Sequence, residues 1–146
     1  GIGRYPVQEG ATYKCLVSAV DSDGNELAGI RLPDLEIPVG THAGWNPRAR
    51  EIGAPEQILS MQGFTTLFPA TRASRQATGD SRPSIEERYR DRDAYRRQVR
   101  EAAQRLVDER YLLEEDIEIV VSACADRYDV AGAEAVPSRM SVGDGA

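Results

Sequence analysis

The stretch Asp21-Ser22-Asp23-Gly24-Asn25 sets oxygen-bearing side chains at alternate positions, as at the opening of a calcium-binding loop. Such a loop needs Gly at its sixth position and a bidentate Glu at its twelfth, where this chain has Glu26 and Leu32. Too few ligands remain, so the segment reads as a polar turn and no metal is assigned. The one histidine, His42, lies between Gly40 and Gly44 and just ahead of the lone tryptophan, Trp45, and Asn46. Glycines there let a backbone loop approach a ligand closely. His42, Trp45 and Asn46 are therefore the candidate pocket-lining residues, weighed against a packing role for His42 and an anchoring role for Trp45. A hydrolytic triad would also need a serine on a strand-to-helix elbow, usually Gly-x-Ser-x-Gly, and a carboxylate. The sequence has no such elbow, and Ser60, Ser74 and Ser84 fall in or at the starts of predicted helices. No catalytic residue and no cofactor is assigned.

Strands and turns should hold the loop of His42. Tyr13 to Val20 is an extended-prone apolar run, Leu27 to Leu32 follows the polar cluster, and the two predict a β-hairpin. Pro33 and Pro38 remove ladder donors, so Asp34 to Val39 is expected to be an edge strand or an extended arm. After Trp45 the pattern turns helical, with a short helix expected near Pro55 to Met61, stopped by Gly63, and a second from about Ala70 to Thr78, stopped by Gly79. Ser84 and Glu87 have the spacing of a capping box.

The clearest periodicity lies near the end. Tyr95, Val99, Ala102, Ala103, Leu106 and Val107 fall on one face of a helix between Asp91 and Arg110. A second helix, about Glu114 to Tyr128, carries Ile117, Val120, Val121, Cys124 and Tyr128 on one face and three acidic residues in its first turn. The connection between them is short, which predicts antiparallel neighbours. Residues 1–53 thus read as a hairpin-and-loop segment, 54–131 as a helical segment and 132–146 as a disordered tail. The fold class is α+β.

Composition narrows the partners. With 146 residues, 40% apolar and 29% charged, the chain has the balance of one soluble domain. Its net charge of −6 disfavours nucleic acid, and no run approaches the roughly 20 apolar residues of a membrane span. The Arg-dense stretch Arg88 to Arg105 is interleaved with Asp91, Asp93 and Glu101, and reads as a solvated helix face. Cys15 and Cys124 allow one disulfide, although Cys124 falls on the apolar stripe and reads as a small core residue. The compartment stays open.

The runs Arg4-Tyr5-Pro6-Val7, Val20-Asp21-Ser22-Asp23-Gly24-Asn25-Glu26, Ala28-Gly29-Ile30-Arg31-Leu32-Pro33, Gly44-Trp45-Asn46 and Arg82-Pro83-Ser84-Ile85-Glu86-Glu87-Arg88-Tyr89, with the closing helix pair, carry a resemblance. From Arg4 to about Asp129 the chain resembles the C-terminal region of bacterial alpha/beta hydrolase domain-containing proteins. The resemblance implies a noncatalytic portion of a serine hydrolase of esters or related acyl substrates. Its nucleophile and catalytic histidine would lie upstream, in a catalytic body on which this chain packs as partner. Gln8 to Lys14 departs from the family's compact first strand, and the resemblance gives no catalytic residue a position here. The competing expectation is an independent helical module that binds a partner protein. A third is that His42 completes a site assembled from two chains.

Overall fold

A computed structural model describes residues 5–6, 16–53 and 57–133. The cluster around Asp21 does form a turn: Asp21 Oδ1 accepts from the amides of Asp23 and Asn25, each at 2.9 Å, and Gly24 takes a positive φ of 81°. The expected hairpin shrinks to a single antiparallel bridge, Val20 to Glu26. Residues 13–15 of its first run lie outside the described residues. Its second run does not continue the ladder, because Gly29 turns the chain at φ 84° and leaves Leu27, Ile30 and Leu32 exposed.

The expected arm at Asp34 to Val39 instead begins as a one-turn helix, α1 (Pro33–Glu36). A proline that weakens a strand is well suited to the first helical position, where no amide donor is needed, and here that second property prevails. The segment Thr41 to Asn46, expected as a loop, falls largely within strands β1 (Gly40–Ala43) and β2 (Asn46–Pro47). The expected helix near Pro55 to Met61 is also corrected. Residues 54–56 lie outside the described residues, and Ile58–Ser60 is strand β3, so Ser60 sits on a strand. A single helical turn is marginal in isolation, whereas β3 gains a ladder by pairing with β2. Strand β4 (Phe64–Leu67) pairs antiparallel with β1 in the register Gly40 to Leu67 and His42 to Thr65. A Cβ at Gly63 would fall 2.0 Å from the Ala43 carbonyl oxygen, so only glycine lets the chain pass this close as it enters β4.

The helical half follows the sequence closely. Helix α2 (Arg72–Thr78) is capped by Thr71 and ends at Gly79 in the left-handed region. Ser84 and Glu87 form the expected capping box on α3 (Ile85–Arg88). Two long helices follow, α4 (Arg92–Asp108) and α5 (Ile117–Ala133), the latter entered through a 3₁₀ turn at Glu114–Asp116. Helix α5 runs past the expected end at Tyr128 and takes in Gly132 and Ala133 of the expected tail. Residues 134–146 lie outside the described residues.

One cluster of buried side chains joins strands to helices. Val39 and Phe68 pack with Ile85, Tyr95, Val99 and Val121, and Cys124 is buried among them as expected. Tyr95 meets Tyr89 edge-on and stacks on Tyr128, with both centroid distances at 4.9 Å. The Tyr89 hydroxyl donates to the Pro38 carbonyl at 2.7 Å, tying the segment before β1 to the helices. Among the described residues, no helix is long and apolar enough to cross a membrane.

Candidate functional site

His42 occupies the third position of β1, and its place is fixed from two sides. On the outer edge of β1, the fully buried Asn25 acts as a short piece of strand. Its amide nitrogen donates to the Gly40 carbonyl at 3.1 Å, and its oxygen accepts from the His42 amide at 2.7 Å. The turn that presents Asn25 is held in turn by charge. Arg31 donates to Asp21 at 2.9 Å, Arg88 grips Asp23 with two nitrogens, and the Thr41 hydroxyl donates to the Asp23 carbonyl. Those carboxylates are thus occupied by arginines and backbone amides. Among the described residues, no group of acidic, histidine or cysteine side chains is arranged to hold a metal.

On the other side stands Arg82. It donates to the Thr41 hydroxyl at 2.7 Å and to the Thr66 carbonyl at 3.1 Å, while Asp80 neutralises it at 2.6 Å. Arg82 and Arg88 both lie over the Phe68 ring, at 5.1 and 4.1 Å from its centroid. The β1–β4 pair is therefore clamped from both chain directions.

The imidazole of His42 enters a polar cluster where α1, β1, β4, α4 and α5 meet. Its Nδ1 lies 2.9 Å from Thr65 Oγ1, and its Nε2 is buried with no partner among the described residues. Asp34 Oδ1 accepts from Arg127 at 2.7 Å and from the Cys124 thiol at 3.2 Å. Burial holds the His42 pKa below the usual histidine range, with Asp34 opposing the shift and Arg127 reinforcing it. Burial, and then the Asp34 charge, pushes the Cys124 thiol up to about 12. Burial likewise raises the phenol of Tyr95, whose hydroxyl faces Cys124 without the geometry of a hydrogen bond.

This arrangement holds a neutral imidazole and an unreactive thiol. In a triad, the nucleophile sits on one ring nitrogen and the carboxylate on the other. Here Thr65 is bound to Nδ1, and Asp34 gives its bonding oxygen to Cys124 and Arg127. The cluster borders an open cavity of about 570 Å³ lined by Thr65, Thr66, Leu67, Asp126, Arg127 and Val130. His42 touches it through Thr65. Trp45 and Asn46, both half-buried, belong to the chain leading into and along β2 and do not line that cavity. Asn25 and Arg82 stand in short motifs of the sequence that give no hint of their bonds to β1 and β4, and Asp34 and Arg127 stand in none. Asp34 and Arg127 are 93 positions apart, and no local pattern marks their meeting.

Comparison with known proteins bears on the same stretch. No curated protein and no solved structure matches the chain. A family model described as an alpha/beta hydrolase domain matches residues 5–122, a span that includes the turn of Asn25, both strand pairs, the capped helices and the first turns of α5. This protein therefore belongs to the alpha/beta hydrolase domain family.

Proposed function

We propose that this chain is a noncatalytic C-terminal portion of a serine hydrolase of esters or related acyl substrates, one that packs on the catalytic body and helps shape its pocket. The observation that carries this reading is the bonding of His42. It is held through Nδ1 by Thr65, and its neighbour Asp34 is occupied by Arg127 and Cys124, so the two position structure instead of activating a nucleophile. Acyl transfer would then use a serine of the body, with water completing hydrolysis. His42, Trp45 and Asn46 would meet the substrate only as part of the wall.

Exposed apolar side chains support docking on a body. Leu16, Leu27, Ile30, Leu32, Leu59 and Met61 are all more than half exposed, and they fall in the strand-and-turn half of the chain. An independent helical module would leave no such surface, which weighs against that alternative. The test is ester turnover by the native hydrolase carrying this chain, with His42 intact and with His42→Ala. Unchanged kcat with at most a modest rise in KM is expected. A fall of a thousandfold or more in kcat would place His42 in the reaction and overturn the reading.

A further inference from the structure

We propose that the open edge of β4, together with the outer face of α5 beneath it, is a docking site for an extended polypeptide segment that adds to the sheet as a third strand. The register defines which backbone groups are free. Phe68 N–H donates to the Val39 carbonyl at 2.9 Å, in line with the pairing of Thr41 to Thr66, so residues 39, 41 and 43 exchange bonds with 68, 66 and 64. The intervening residues, Gly40 and His42 on β1 and Thr65 and Leu67 on β4, must point their amides and carbonyls outward. On β1 this is seen directly, since the outward groups of Gly40 and His42 are taken by Asn25. On β4 the counterpart groups are Thr65 N–H, Thr65 C=O and Leu67 N–H, which have no partner among the described residues. Leu67 C=O meets Arg82 at 3.5 Å. One edge of the sheet is closed by a side chain that mimics a strand, and the other is left as a template.

The surface beside that edge is complementary to a strand. Thr65 and Leu67 share the sheet face that looks toward α5, and the cavity there runs from them to Asp126, Arg127 and Val130. A two-stranded sheet is too narrow to cover this helix, and the outer face of α5 continues through Ile119, Ser122 and Ala123 in a second, shallower hollow that also includes Asp126. An added strand would lie about 4.8 Å beyond β4, over that face. Asp126 and Val130 are four residues apart on the helix, about 6 Å, close to the roughly 6.6 Å between alternate residues of a strand. Asp126 makes no hydrogen bond or ion pair among the described residues, while Arg127 is already joined to Asp34. The fitting occupant is therefore an extended segment with an apolar and a basic side chain at i and i+2 on the face turned to α5. Main-chain bonds to Thr65 and Leu67 provide adhesion, and these two side chains provide selection.

The proposal stands independently of the hydrolase reading, since it rests on backbone groups and one helix face. Its test uses the whole chain, labelled with ¹⁵N, and two blocked pentapeptides, Thr-Val-Thr-Lys-Thr and Thr-Lys-Thr-Val-Thr, which cover both strand directions. Amide exchange at Thr65 and Leu67 should be fast in the chain alone and slowed at least tenfold by one peptide at saturation. The same peptide N-methylated at every residue should have no effect, and Asp126→Lys should weaken binding at least fivefold while leaving the fold's spectrum intact. Absence of protection by either peptide, or equal protection by the N-methylated form, would overturn the proposal. So would slow exchange in the chain alone, which would mean an internal partner if independent of concentration and a second copy of the chain if it rises with concentration.

Discussion

Asn25 shows how one side chain governs the geometry of the site. Replacing it with Ala leaves the Gly40 carbonyl and the His42 amide unpaired at a buried position, at a cost of about 2–4 kcal/mol for the two groups. Urea unfolding of Asn25→Ala should show that loss, and amide exchange at His42 should rise more than exchange in α4. His42 itself makes a pH prediction. Its folded pKa lies below its unfolded value, so the unfolded chain binds the proton more readily. The contribution is present above about pH 6.5 and is lost as pH falls below it. Stability curves from pH 7.5 to 5.5 should therefore slope downward toward acid, and His42→Gln should flatten that slope. At this scale the sequence displayed His42 as the sole histidine, flanked by glycines. It did not display Asp34 or Arg127, which reach the cluster only once α1 and α5 have packed, nor Asn25, which looked like an ordinary turn residue.

Local signals were legible because their partners lie within a few residues. Ser84 and Glu87 form the capping box the spacing predicts, with Glu87 Oε2 accepting from the Ser84 amide at 2.9 Å. Bonds from the Ser84 amide and hydroxyl, with Arg75 added, bring the Glu87 pKa to about 2. Ser84→Ala should cost about 1 kcal/mol in thermal or urea unfolding, since it removes the cap and one partner of Glu87. The buried stripes were legible too, from Tyr95 to Val107 on α4 and from Ile117 to Tyr128 on α5, although α5 also carries Ile119 and Val130 on its exposed face. Strand pairing was not. The partner of Gly40 is Leu67, and the segment between carries no hairpin turn sequence that would set the register, so a short apolar run such as Ile58–Ser60 resembled a helical turn. Pro33 misled in a similar way, because proline disfavours a strand interior and favours a helix start, and only packing decides between them.

At the scale of the molecule, exposed apolar side chains occur in both halves, at Leu16, Leu59 and Met61 among the strands and turns and at Leu113, Ile119 and Val130 among the helices. The buried cluster runs from Val39 through Phe68 to Val121, so the two halves share one core. The α+β class was legible from periodicity, and the family from a resemblance carried by short motifs spread along most of the chain, which the family model over residues 5–122 bears out. The sequence did not convey which edge of β4 stays open, a property of three-dimensional pairing alone. The proposed function puts the nucleophilic serine outside these 146 residues. The most direct measurement is to label the native hydrolase with a fluorophosphonate, digest it, and locate the adduct by mass spectrometry. A single modified serine is expected, in a peptide absent from Gly1–Ala146; an adduct on any serine within Gly1–Ala146 would overturn the proposed function.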